Sequence, residues 1–245
     1  MVNSRLDHFK INDNLIENLK FYFDGKFPFE GLGLKNLSNN YNWPRKGDFP
    51  SIKAISSIDV LGKNNYERNI FLKKNSSKIW SEGSKFEIAK WAISDWGGIR
   101  RNKTKTIEKY IYEIENKNYP YYIEGVASYS KILSFMKPDE FAIYDARVAI
   151  SLNAIQLLSR SESGVIFTYL AGRNKALTIF RNSEPTKTKN LIKNGWQEIE
   201  KNKCYSFYLN YLKKINSYFP TSKLYELEMS LFADAESLAD RYLKT

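Results

Sequence analysis

The sequence predicts an all-α, mainly helical protein. Apolar residues recur at three- and four-residue steps through most of the chain, no long stretch alternates apolar with polar residues, and clusters of glycine, proline and asparagine separate the periodic segments. A short strand or two is allowed near the middle of the first half.

Residues 11–23 set Ile11, Leu15, Leu19 and Tyr22 on one side of an amphipathic helix. Asp24-Gly25, Pro28, Gly31, Gly33, Asn39-Asn40, Trp43-Pro44 and the stretch 47–50 then mark 24–50 as loop-rich. Helical pattern returns over 51–58, breaks around 62–65 and resumes over 66–74. Over 86–94 the helical face is Phe86, Ala89, Lys90 and Ile93, and Trp96-Gly97-Gly98 stops the helix because glycine leaves helical geometry without steric penalty. Arg100-Arg101-Asn102-Lys103-Thr104-Lys105, the densest basic run, follows and reads as either a solvated loop or a phosphate clamp. It leads into a helix over 106–115 with Ile107, Ile111 and Ile114 inward. Further helices are expected over 145–158, 165–180, 188–212 and 218–243.

At 245 residues the chain can bury a core without metal or disulfide support, and it shows neither a fixed-period repeat nor a low-complexity linker. Its first residues lack an apolar leader core and no run approaches the roughly eighteen apolar residues of a membrane span, so a cytoplasmic protein with no membrane partner is expected. The single cysteine, Cys204, fits a reducing compartment and reads as a small buried hydrophobe. The single histidine, His8, lies in the polar N-terminal stretch. One Cys and one His exclude a Cys/His zinc site and a four-cysteine iron-sulfur cluster, and the place of His8, far from every other candidate, argues against a histidine-activated nucleophile, so no metal and no cofactor is expected. Any acid or base must then be a carboxylate, Lys or Tyr. Lys and Arg number 38 against 27 Asp and Glu, a formal charge of +11 that suits a partner rich in phosphate. The 15% aromatic content serves mostly as core, and stacking on an extruded base also needs it.

The most informative stretch begins Glu124-Gly125-Val126-Ala127-Ser128-Tyr129-Ser130-Lys131 and ends Ile143-Tyr144-Asp145-Ala146-Arg147-Val148-Ala149. A glycine-led turn opens a helix, and amides at a helix start bind phosphate. That helix ends before Pro138, and a short connection delivers Asp145 to the start of the next helix, whose apolar face includes Val148, Leu152 and Ile155.

These motifs resemble the helix-hairpin-helix DNA glycosylase superfamily: Gly125-Val126-Ala127 is similar to its hairpin, and 143–148 to the segment carrying its catalytic aspartate. Ala127 replaces a second glycine, Arg147 stands where histidine is common, and the spacing to the aspartate is short. Trp96-Gly97-Gly98-Ile99, the stretch 169–174 and the stretch 226–232 look like the bacterial 8-oxoguanine glycosylase-like branch. The resemblance implies two helical lobes with the site in the cleft between them, an N-terminal extension over 1–79 that contacts substrate, and a core over 80–245 with its hairpin at 118–137 and catalytic segment at 143–149.

It also implies a DNA N-glycosylase that flips out a modified base and leaves an abasic site. Asp145, besides capping its helix, would offset the oxocarbenium-like charge of the sugar and orient a water. The superfamily's lysine position falls on Tyr129, and Lys131 lies about 200° further round a helix. A water nucleophile without strong lyase activity is therefore expected, with Lys131 catalytic only under a shifted alignment. Gly125, Ala127, Ser128, Tyr129, Arg100, Arg101, Lys103 and Arg147 are the expected DNA contacts. Trp96, Phe135, Glu228 and Phe232 are expected around the base, with Tyr41 or Trp43 as a wedge.

The substrate implied is glucosylated hydroxymethylcytosine of phage DNA, in anti-phage defence, as in a related member of the superfamily, with 8-oxoguanine as the alternative. No protein partner is expected. Two rivals stand beside this reading: a helix-hairpin-helix module that holds DNA without chemistry, and a metal-dependent nuclease using Asp139, Glu140 and Asp145, which do not share a helical face.

Overall fold

The structure, a computed structural model, describes residues 13–44 and 64–245. His8 and the helix expected over 51–58 lie outside the described residues.

The mainly helical expectation holds. Helix α1 (Asp13–Phe23) buries Leu15, Leu19 and Tyr22 as its spacing predicts. The loop-rich segment contains one 3-10 turn (Leu34–Asn36) and the single-turn helix α2 (Leu37–Asn40). It is tied down by a buried carboxylate: Asp234 Oδ2 accepts from Tyr22 Oη at 2.9 Å and from the Gly33 amide at 2.8 Å, and its Oδ1 accepts from Asn40 Nδ2 at 2.8 Å. Three donors on one carboxylate compensate the cost of burying it.

Helix α3 (Asn65–Glu82) is longer than expected and runs unbroken through residues 79 and 80. Asn64 starts it: its side chain accepts from the Glu67 amide at 2.9 Å while Glu67 accepts in return from the Asn64 amide. Helix α4 (Lys85–Lys90) passes into a π-helical turn (Trp91–Trp96) that Gly97 ends. The buried face there is Ile88, Ala89, Trp91, Ala92, Ile93 and Trp96, whereas Lys90 is exposed and Phe86 half-buried, which corrects the predicted face. The π turn rotates the side chains that follow and brings both tryptophans inward. Helix α5 (Thr104–Glu115) begins inside the basic run and buries Ile107 and Ile114.

Helices α6 (Val126–Met136) and α7 (Ala146–Leu158) form the centre of the core, with residues 148–156 of α7 buried throughout. The helix predicted over 165–180 is instead the two-residue strand β1 (Val165–Ile166), extended chain, and α8 (Lys175–Asn182). Side-chain amides of α7 explain the change. Gln156 bonds both the amide and the carbonyl of Val165 at 2.9 Å, and Asn153 bonds the amide (3.0 Å) and carbonyl (2.9 Å) of Phe167. An extended backbone is thereby satisfied inside the core, where a helix would have satisfied itself.

The helix expected over 188–212 breaks into α9 (Thr188–Lys193), β2 (Gln197–Glu198) and α10 (Cys204–Asn216), because Asn194-Gly195 turns the chain with Gly195 at φ +86°. β2 pairs in parallel with β1, so the strands fall in the second half of the chain and not the first. The last predicted helix starts late, as α11 (Leu224–Leu243), after Pro220 and a bond from the Lys223 amide to Glu226. α11 lies along α7 and receives α8, α10 and α2. Among the described residues, no helix is long and apolar enough to cross a membrane.

Candidate functional site

Asp145 sits where its sequence neighbourhood predicts, at the N-cap of α7. Its Oδ1 accepts from the amides of Arg147 (2.9 Å) and Val148 (3.2 Å), and the side chain is half-buried. The extended segment before it is pinned along its length. The Tyr144 amide donates to Ser130 Oγ at 3.2 Å, while Tyr205 and Tyr208 hydroxyls donate to the Ala142 and Ile143 carbonyls, each at 3.0 Å. Helices α6 and α10 thus fix the backbone that presents the carboxylate.

Lys131 approaches from α6. The residue is only 4% exposed, and its Nζ donates to the Ala127 carbonyl one turn back at 2.7 Å. Burial pushes its amine below the ordinary lysine range, and the carboxylates of Asp145 and Glu228 pull it partly back. The stem passes over Gly97: a Cβ there would lie 2.6 Å from Lys131 Cδ and Cε, and 2.5 Å from the Ala92 carbonyl. Only glycine leaves room, a physical reason for the Trp96-Gly97-Gly98 stop that goes beyond ending a helix.

Behind Lys131 lies a buried charge cluster. Lys73 of α3, 1% exposed, donates to Ser134 Oγ at 3.0 Å and stands 3.9 Å from Glu228 Oε2 of α11. Ser134 in turn donates to the Lys131 carbonyl at 3.0 Å, which joins Lys73 to the turn bearing Lys131. Burial raises Glu228 to about 7, with Asp145 adding to the rise and the two lysines opposing it. Burial likewise lowers Lys73.

Around the carboxylate end stand aromatic groups. Phe232 of α11 is half-buried, with the Arg147 guanidinium 4.9 Å from its ring centroid and the Trp43 ring at 5.4 Å. Trp43 is fixed by its Nε1, which donates to the Trp96 carbonyl at 2.7 Å, and it flanks Gly98. Gly98, at φ +71°, also receives Arg173 Nη2 on its carbonyl at 2.7 Å. Gly172 lies against Ala146, so the 169–174 stretch closes another side.

Several expected roles are changed by this placement. Tyr129 is fully buried and donates to the Tyr122 carbonyl at 2.5 Å, so it reaches no ligand. Ser128 is buried too, and its Oγ accepts from Asn102 at 2.8 Å, which anchors the basic run to α6. Arg147 is taken up by α11, paired with Glu236 and bonded to the Phe232 carbonyl at 3.3 Å. Trp96 (3% exposed) and Phe135 (0%) are core, stacked about Trp91, so neither lines an open pocket. Glu228 is an interior charge and not a group facing ligand, and Tyr41, 6% exposed, is too buried for a wedge.

Arg100, Arg101 and Lys103 are exposed. The loop that carries them begins at Gly97 against Lys131 and reaches α6 through Asn102. Gly125 caps α6 at φ +75°, where a Cβ would fall 1.9 Å from the Tyr110 hydroxyl. Beside it is a shallow depression lined by Lys105, Lys109, Tyr110, Tyr122 and Glu124. The amides of Val126 and Ser128 already serve the turn, bonded to Ile123 and Gly125 carbonyls at 3.2 and 2.8 Å.

Sequence reasoning missed Lys73, although a signal existed. It falls on the stripe Asn69, Leu72, Ser76, Ile79 and Trp80 that α3 buries, and a lysine at that spacing is out of place unless paired. Among the described residues, no group of three or more His, Cys, Asp or Glu side chains is arranged to hold a metal ion. No family model matches the chain, and no curated protein or solved structure matches it.

Proposed function

We propose that this protein is a cytoplasmic DNA N-glycosylase that excises a modified base, with Asp145 and Lys131 as its catalytic residues and a two-lobed cleft opening past Trp43 and Phe232. The supporting observation is a carboxylate fixed at a helix start by the amides of Arg147 and Val148, whose charge acts on the buried, weakened Lys131 amine. Departure of the base develops positive charge on the sugar, and the Asp145 carboxylate offsets it. An amine that is easily deprotonated is a nucleophile for C1′, and Lys131, 4% exposed, must first leave the Ala127 carbonyl to reach it. Its nitrogen forms the bond to C1′, the bond to the base breaks, and the base departs with the electron pair and a proton. The hairpin resemblance implies water as the nucleophile, and the lysine route is set beside it because the Lys131 amine feels the Asp145 carboxylate while Tyr129 is bonded to the Tyr122 carbonyl.

The exposed cations on the loop from Gly97 to Lys103 support a duplex partner, since phosphate contacts supply most of the affinity of such proteins. Trp43 and Phe232 are the rings placed to stack on an extruded base. No cofactor is required. The test is borohydride trapping on duplexes carrying either glucosylated hydroxymethylcytosine or 8-oxoguanine. A covalent adduct that K131Q and D145N abolish supports the reading and identifies the base. Abasic sites without an adduct would restore water as nucleophile. Binding without any product would leave a DNA-holding module.

A further inference from the structure

Trp43 and Trp96 both spend their indole N–H inside the protein. Trp43 Nε1 donates to the Trp96 carbonyl at 2.7 Å, and Trp96 Nε1 donates to Asn69 Oδ1 at 2.9 Å. Asn69 closes the circuit, for its Nδ2 donates to the Trp43 carbonyl at 2.7 Å and to the Asn65 carbonyl at 2.8 Å. The residue is fully buried on α3, and every hydrogen-bonding direction of its amide is engaged. Leucine has a similar shape but bonds to nothing, and an ionised aspartate cannot donate. One turn earlier, Asn65 Nδ2 donates to Asn42 Oδ1 at 2.7 Å and to the Pro44 carbonyl at 3.0 Å. The chain is therefore held at 42, 43 and 44 in succession, and the Trp43 ring is held again at its nitrogen.

The place of this ring gives the network a use. Trp43 is half-buried, packs at 5.4 Å against Phe232 and flanks Gly98. A fully satisfied buried polar network rigidifies what it holds, and a ligand that stacks on a ring already fixed spends little on ordering it. Resting on the glycosylase reading, we propose that Asn69 is a positioning residue for Trp43: it fixes the indole as a rigid stacking face for an extruded base, in place of a mobile wedge, without itself touching DNA. Loss of the amide frees the Trp43 carbonyl and the Trp96 indole together. Asp145 and Lys131 keep their own bonds, to the α7 amides and the Ala127 carbonyl.

The test is the motion of the Trp43 indole N–H in protein labelled with nitrogen-15, its signal assigned by its disappearance in W43F. In the native protein its order parameter matches that of rigid backbone, about 0.85, and in N69A it falls below about 0.6. Binding is then measured in a D145N background, with duplexes carrying glucosylated hydroxymethylcytosine or 8-oxoguanine and with unmodified duplex of the same sequence. N69A lowers the preference for a modified duplex by about tenfold, within the share of one stacked base, and leaves affinity for unmodified duplex in place. A fold that is merely weakened would lose both alike. A mobile Trp43 indole in the native protein, an equally rigid one in N69A, or a native preference that N69A leaves intact would overturn the proposal. If N69A does not fold, N69S takes its place, and if neither folds the native order parameter alone decides. A native protein that prefers neither modified duplex and forms no product from either, with the indole behaving as described, would reject the glycosylase reading and leave Asn69 as the residue that holds the ring.

Discussion

The Trp43 indole donates to the Trp96 carbonyl over 2.7 Å, and this bond ties the loop-rich N-terminal segment to the turn that accommodates Lys131. W43F keeps a ring beside Phe232 and removes the bond. A cost of about 0.5–1.5 kcal/mol to local stability is expected. The global melting temperature should change little, while single-turnover excision slows. W43A should slow it further, and an unchanged rate for both would exclude Trp43 from the site.

D145N separates the cap that Asp145 makes from the catalysis proposed for it. Asparagine caps a helix about as well as aspartate, so stability in denaturant should change by less than ~0.5 kcal/mol. The proposed catalysis needs the charge, and under it excision should fall by at least about 100-fold with DNA affinity retained. Single-turnover assays alongside anisotropy titrations make the comparison.

G97A inserts a methyl against the Ala92 carbonyl and the Lys131 stem. Overpacking of this kind costs about 1–3 kcal/mol. Its distinguishing mark is displacement of Lys131: borohydride trapping should drop more than the melting temperature implies, whereas an alanine at exposed Asn39 should affect neither.

Replacing Arg100, Arg101 and Lys103 together by alanine should weaken duplex binding for every sequence alike. For each phosphate left without its cation, the slope of log affinity against log salt should shrink by about 0.9. Excision at saturating protein should be preserved. A salt slope equal to that of the native protein would show that these exposed cations face solvent only.

Glu228 also writes a pH dependence into stability. Its folded value is raised to about 7 from an ordinary 4.5, so its stabilising contribution is full below 4.5 and is lost as pH rises through 7. Lys73 and Lys131 are lowered, and their contributions are lost in the opposite direction, as pH falls, in native protein and variant alike. The melting temperature of native protein minus that of E228Q should therefore decline between pH 4.5 and pH 7. A flat difference would show that Glu228 is not held neutral by burial.

Local chemistry was legible in the sequence where the structure is local. Asp145 before Ala146, Gly125 before Val126 and the spacing of Leu15, Leu19 and Tyr22 each point to a cap, a turn or a face, and each is found. Residues 165–174 were illegible because what holds them is remote. Gln156 and Asn153 complete their backbone bonds, and apolar spacing cannot announce a side chain that substitutes for a helical partner. At the site, Asp145 was legible, but the register of Lys131 was not. Matching the hairpin motif selects Tyr129, and only packing shows Tyr129 turned inward and Lys131 lying over Gly97. Lys73 and Glu228 were harder still, lying 155 positions apart and meeting only when α3 and α11 come together in the fold.

The three hydrogen bonds to Asp234 have a consequence during synthesis. Tyr22, Gly33 and Asn40 emerge early from the ribosome, and their acceptor lies in Leu224–Leu243, the helix that also bears Glu228 and Phe232. At roughly 5–20 residues per second, the early segment waits at least about ten seconds for it. A nascent chain halted before that helix holds Asp145 without Phe232 or the buried charge of Glu228, so the surroundings of Asp145 are completed only when the last helix joins the fold.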